Sequence, residues 1–325
     1  MLGGIIMLVK QIDVKKGVKK LSANIFRYLF FICVAYVLLY PILYMISNSI
    51  KNLFDTYDAT VIWVPKNVTF ENFVSAFTVF HIDKTLLNTI IYEIVAALIQ
   101  FCSCAVAAYG IARFKFKGKN LMLILMLATM LVPSMMLIIP NYVNFSRLDF
   151  LGIFGIISKI VGKEIRPNIV NTVWAFYLPS ALGVGLKGGL FIYIFSQFYK
   201  GLPKELEEAA EIDGAGAWRT FLNIVLPSSG SAIITVLLFS IVWHWNDYHL
   251  AQMYAVDNPT FAVQLNNFGQ NTVSAELSMD ISQAILLSTP ILLAGCLLFI
   301  IPLVIFYILV QRKFMASIAR TGLVG

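Results

Sequence analysis

The sequence predicts an all-α, polytopic membrane protein with six transmembrane helices, and three observations carry that prediction. Hydrophobic residues make up 59% of the 325 positions and charged residues only 13%, against roughly 25% charged in soluble globular domains. Six stretches are apolar over the length of about 20 residues that a bilayer-spanning helix needs. They lie near 25–46, 86–112, 120–140, 173–199, 228–246 and 284–310. The loops between them alternate between rich and poor in basic residues. Lipid offers the backbone no hydrogen-bond partner, so each stretch is read as a helix, whereas a barrel would show short alternating strands.

Loop charge sets the expected orientation. Sixteen of the 24 Lys and Arg residues fall on one side. Lys10, Lys15, Lys16, Lys19, Lys20 and Arg27 precede the first stretch, and Arg113, Lys115, Lys117 and Lys119 follow the second. Lys200, Lys204 and Arg219 follow the fourth, and Arg312, Lys313 and Arg320 follow the sixth. The last loop on the other side, from Asp247 to about Gln283, has none. By the positive-inside rule both termini are cytoplasmic. The chain then divides into a cytoplasmic segment 1–24, a six-span domain 25–310 and a cytoplasmic tail 311–325. The net charge of +7 follows from this topology, and no basic cluster on a soluble face points to nucleic acid. Cys33, Cys102, Cys104 and Cys296 all fall inside spans as small apolar fillers, so neither disulfide nor metal is expected. The apolar patch Ile5–Val9 lacks a cleavage-like site, so no removable signal peptide is expected.

Residues 200–227 read as a helix, a break and a second helix. Pro203 suits a first helical position, and Glu205, Glu207 and Glu208 complement the helix dipole in the early turns. Leu206, Ala209 and Ala210 form a narrow small-residue stripe. Gly214 is placed to end the helix, since glycine enters the left-handed conformation without steric cost. The chain resumes at Trp218 and passes Phe221 and Ile224 to Leu226-Pro227. By itself such a segment reads as an amphipathic loop on the membrane surface.

Its residues are more specific than that. Glu208-Ala209-Ala210, three residues, Gly214, nine residues, then Ile224, any residue and Leu226-Pro227 resembles the signature of the membrane-spanning subunits of ABC importers. Leu178 to Gly201, followed by Leu202-Pro203-Lys204-Glu205-Leu206-Glu207-Glu208, is similar to the run entering that motif in maltose-type sugar permeases. Trp245-Asn246-Asp247-Tyr248, Val132-Pro133-Ser134 and Gln311-Arg312 extend the resemblance over roughly 85–315, to the six-span second permease of that type. The tail Ile318 to Gly325 fits less well, and whether it reaches the ATPases stays open.

The resemblance implies a transport subunit of a prokaryotic cell (inner) membrane with no enzymatic site of its own. It implies alternating access driven by a separate ATPase, and uptake of a sugar or oligosaccharide. The implied partners are a second permease, two ATP-binding subunits that hold ATP and Mg, and an extracellular or periplasmic solute-binding protein. The implied ATPase-coupling residues are Glu207, Glu208, Ala209, Ala210, Asp213, Gly214, Leu226 and Pro227. The residues agree that hydrolysis lies elsewhere: around Gly118-Lys119 a P-loop would need glycine at Arg113 and Ser or Thr at Asn120.

Charges at membrane depth are costly and mark functional positions. Glu93, Ala97, Gln100, Cys104 and Ala107 recur at spacings of three and four on one face of the second span. Lys187 lies near mid-depth in the fourth, among Gly183, Gly185, Gly188 and Gly189. Two readings stay open: a Glu93–Lys187 pair that sets helix packing, or a translocation path touching the solute. Glu93, Gln100, Lys187, Asn246 and Asp247 are the path candidates, with capping of the fifth span as the other reading of the last two. Phe70, Phe73, Phe77 and Phe80 describe an amphipathic helix packed on the membrane surface. A secondary transporter is the rival reading, but it predicts ionisable residues in several spans and an inverted repeat. His81, His244 and His249 lack metal-ligand spacing, which argues against a membrane metalloenzyme.

Overall fold

A computed structural model describes residues 2–149, 152–271 and 281–321, and these residues are helical nearly throughout. The first helix, α1 (Leu2–Ser49), runs without a break through the predicted first span. From Leu21 to Ile46 its side chains are almost all exposed, and along its length it packs on α15 (Ile281–Thr321). A helix apolar on every side and uncovered by its own chain needs lipid or another protein around it.

A short helix, α2 (Leu53–Tyr57), opens a compact loop that leads to α3 (Glu71–Val79). The Lys51 ammonium donates to the carbonyls of Val61 (2.8 Å) and Ile62 (3.1 Å), and Asp55 accepts from the Asn67 backbone N–H at 2.8 Å. Lys66, 2.6 Å from Asp58, and the Thr60 hydroxyl hold the Asp58 carboxyl below the usual carboxylate range. The phenylalanine stripe is not a membrane-surface face. Phe80 is buried among Phe261, Phe268 and Ala294, while Phe70 and Phe77 are exposed. Gly295 explains the difference: a Cβ there would collide with the Phe80 ring, so the glycine lets α3 seat on α15.

The second predicted span lies within α4 (Ile82–Arg113), which carries one π-helical turn at Ile90–Ile94. The third is not a straight span. Its run splits into α5 (Lys119–Leu131) and α6 (Ser134–Ser146), bent by 104°. Pro133 cannot continue the ladder and pushes Val132 into extended backbone, φ −77° and ψ 119°. A short helix, α7 (Ile153–Val161), follows.

The fourth run is also interrupted. It divides into α8 (Trp174–Ala181) and α9 (Gly188–Gly201), with Gly183 and Lys187 in left-handed backbone between them. Next come α10 (Glu205–Ile212) and α11 (Ala217–Ser228), and α11 bends 82° into α12 (Gly230–Trp245), the fifth predicted span. Helices α13 (His249–Tyr254) and α14 (Phe261–Asn271) lead toward α15, which contains the sixth. Among the described residues, three helices can cross a membrane by length and composition, or up to five if each bent pair is one span. Helix α15 continues past the expected boundary at 310 to Thr321. Residues 322–325 of the tail and 272–280 of the loop before α15 lie outside the described residues.

Candidate functional site

Two regions along α4 carry the chemistry. The first is the elbow formed by α10 and α11. Its break is a Schellman motif: Gly214 takes φ +79°, its N–H donates to Glu211 O at 3.0 Å, and Ala215 N–H donates to Ala210 O at 2.9 Å. Pro203 lies outside the helix, one residue before the N-cap Lys204, rather than at its first position.

The candidate coupling residues divide by face. Glu208, Ala209, Asp213, Gly214 and Pro227 are exposed. Ile212 beside them is 87% exposed, an unusual position for a large aliphatic side chain that nothing covers. Glu207 and Ala210 turn inward, and Leu226 is half-buried. The expected small-residue stripe is therefore narrower, because Ala210 packs against the protein's own core and leaves Ala209 outward.

Glu207 has a partner within the chain. Its Oε1 lies 2.5 Å from Arg113 Nε at the last turn of α4, and both side chains are largely buried. Arg113 also donates to Leu202 O at 3.0 Å, and the Tyr109 hydroxyl donates to Glu207 Oε2 at 3.5 Å. Beneath this pair Tyr109 packs on Phe221 with ring centroids 4.9 Å apart, and Tyr199 stands edge-on to both. Helix α10 is thus pinned to α4 by charge, at a point where aromatic packing joins α4, α9 and α11.

The second region is a cavity of about 840 Å³ lined by α5, α6, the α8–α9 break and α12. Glu93, Lys187 and His244 form part of its wall together with Thr129, Asn141 and Trp243. The polar face of α4 is buried as expected: Glu93, Ala97, Gln100 and Cys104 are each at most 1% exposed. Glu93 does not pair with Lys187. Its Oε2 lies 3.1 Å from His244 Nδ1, and His244 Nε2 lies 2.9 Å from Gln100 Oε1. Gln100 Nε2 in turn donates to Leu186 O at 2.7 Å, inside the α8–α9 break.

This chain of bonds fixes the protons. Because the Gln100 amide N–H is used on Leu186, its oxygen must accept, so His244 Nε2 carries hydrogen. One further proton then lies between His244 Nδ1 and Glu93 Oε2. Glutamate and histidine share it, and the pair carries no net charge.

The glycines hold the break against α4 and α5. A Cβ on Gly185 would lie 2.6 Å from Gln100 Oε1, and one on Gly189 would lie 2.9 Å from Thr129 Oγ1. A Cβ on Gly188 would strike the Gly183 carbonyl. Ser103 adds a bond to Ser180 O at 2.5 Å, and Ser240 one to Ala97 O at 3.2 Å. Irregular backbone at this depth is thus satisfied by side chains of α4 rather than left to lipid.

Neither Asn246 nor Asp247 is part of the cavity wall. Asn246 is exposed and donates back to Val242 O at 2.7 Å, while Asp247 is buried and accepts from Leu250 N–H at 3.2 Å. Asn246 caps the end of the fifth span, whereas Asp247 is buried rather than facing water and caps the start of α13. His244 is the residue that sequence reasoning passed over. Ala232, Val236, Ser240 and His244 recur every four residues and are all buried, a polar-ended stripe matching that of α4.

Against this geometry stands one decisive similarity. Residues 103–318, about two thirds of the chain, match the profile described as binding-protein-dependent transport system inner membrane component. The chain belongs to that family. It is 28% identical over 94% of its length to a probable ABC transporter permease of Bacillus subtilis, YurM, covering 88% of that protein. It is 27% identical to the trehalose transport system permease SugB of Mycobacterium tuberculosis, over 90% of this chain and 94% of SugB. A chain from a bacterial ABC transporter for import of the acidic polysaccharide alginate shares the fold, with TM-score 0.66, 19% identity, and coverage of 90% and 96%. As a permease of this family, the chain is an integral membrane subunit of an ABC importer.

Proposed function

We propose that this permease takes up a sugar or oligosaccharide by ATP-driven alternating access. A second permease, two ATP-binding subunits carrying ATP and Mg, and an outer solute-binding protein complete the working unit. Six crossings result if each bent run and the split α8–α9 run counts as one, with both termini and the elbow on the cytoplasmic side. The names of relatives support the solute class: one is named for trehalose transport and another, at 26% identity, for diacetylchitobiose uptake in Streptomyces coelicolor.

The observation that carries the mechanism is the elbow. Its outward face presents Glu208, Ala209 and Asp213 with none of the described residues over them, while its inward face is bolted to α4 through Arg113. Closure of an ATPase pair against that face moves α10, and the Glu207–Arg113 pair passes the displacement into α4. In the middle of α4, Glu93 and Gln100 hold α12 and the α8–α9 break around the cavity, so the same displacement reshapes its wall.

Uptake into proteoliposomes containing the full complex tests this reading. Accumulation is expected to require ATP and the ATPase partner, and to persist after ionophores collapse proton and sodium gradients. Gradient-driven uptake without ATP would instead establish a secondary transporter.

A further inference from the structure

The cavity wall holds one basic group, Lys187, and three features set it apart. First, it takes left-handed backbone at φ +59°. A non-glycine residue pays for that conformation, and glycines at 183, 185, 188 and 189 surround it. Second, its side chain makes no ion pair or hydrogen bond among the described residues. The buried or half-buried basic side chains elsewhere include ones that are engaged: Arg113 with Glu207 and Lys51 with carbonyls. Third, the adjacent Leu186 carbonyl is held by Gln100, so the backbone that carries Lys187 is fixed before any solute arrives.

The acid on the same wall does not neutralise it. Glu93 spends Oε2 on His244, and that pair shares one proton. The remaining oxygen, Oε1, belongs to a residue 1% exposed and has no hydrogen-bond partner. Asp247, the other buried acid nearby, stands outside the wall and is bonded to Leu250. The wall therefore offers one unpaired cation on an anchored element, beside an acid that is buried and already joined to His244.

We propose that Lys187 forms a binding point for an acidic sugar, its ammonium on the cavity wall taking a solute carboxylate. A uronic-acid oligosaccharide carries that group. The inference rests on the importer reading above and narrows its solute class from sugars in general to acidic ones.

Uptake by the full complex in proteoliposomes, with its companion subunits, tests it. The probes are radiolabelled digalacturonate and dimannuronate on one side, and galactobiose, maltose and trehalose on the other. The unaltered complex is expected to accumulate an acidic probe in preference to the neutral ones. Lys187→Gln is expected to lower the ratio of acidic to neutral uptake by about tenfold, the loss of a charge-assisted hydrogen bond, and Lys187→Arg to keep most of it. ATP-dependent uptake confined to neutral probes overturns the inference and leaves the importer reading standing. So does a Lys187→Gln complex whose ratio is unchanged, which would make the lysine a structural element. ATP-independent behaviour with every probe overturns both.

Discussion

Replacing His244 with leucine is expected to cost the helical bundle about 3 kcal/mol, the penalty for stranding buried polar partners. The substitution removes two bonds at once, leaving Glu93 Oε2 and Gln100 Oε1 buried and unpaired. Gln100 Oε1 is then stranded while Nε2 still donates to the Leu186 carbonyl, and any reorientation of the amide toward a new donor releases that bond and loosens the α8–α9 break. Glu93→Gln behaves differently. Its new amide N–H can donate to His244 Nδ1, while Nε2 still donates to Gln100, so the network survives with a cost of about 1 kcal/mol or less. Glu93→Leu combined with His244→Leu falls between, since deleting both partners costs less than orphaning one. The ranking of thermal unfolding midpoints of the purified permease checks this. A Glu93→Gln variant as unstable as His244→Leu would show that the shared proton is not what joins these residues.

Arg113→Gln and Glu207→Gln are expected to separate ATP hydrolysis from transport. Both side chains sit largely out of solvent, with relative exposures of 9% and 14%, so the pair is short and poorly screened. Neutralising one partner removes the charge contact that ties α10 to α4, leaving the aromatic packing of Tyr109, Tyr199 and Phe221 between α4, α9 and α11 in place. The exposed face of the elbow is untouched, so assembly with the ATPases and hydrolysis continue. Solute moved per ATP hydrolysed is expected to fall about tenfold, equivalent to ~1.4 kcal/mol of lost coupling. An unchanged ratio in assembled complexes would place the transmission route elsewhere.

The elbow was legible because its motif is local. Glu208 to Gly214 and Leu226-Pro227 lie within one short segment, and the glycine needed for a left-handed cap declares itself by type. The family followed from the same residues. The apolar runs were legible as runs but not as straight rods. Val132-Pro133 contained the warning, since a residue before proline avoids helical backbone, and the 104° bend lies there. The glycines at 183–189 likewise marked a break that became a division between two helices.

The Glu93 network was not legible, for a different reason. Glu93 and His244 are 151 positions apart, and only the packing of α12 on α4 brings them together. Lys187, closer in type, was the obvious partner by charge. The four-residue recurrence from Ala232 to His244 pointed inward, but its meaning depended on knowing which helix it faced. The phenylalanine stripe erred in the same way: periodicity gave Phe80 a face, and Gly295 on a distant helix decided what that face touched.

The most direct measurement concerns Ala209. It is exposed on α10 beside Glu208, and no described residue covers it, so Ala209→Trp adds bulk to the outward face and leaves the permease's own packing intact. In proteoliposomes, the complex carrying Ala209→Trp is expected to lose ATP-dependent sugar uptake by at least about tenfold, while the isolated permease keeps its unfolding midpoint. Uptake at the unaltered rate would contradict the claim that this face of the elbow receives the ATPase.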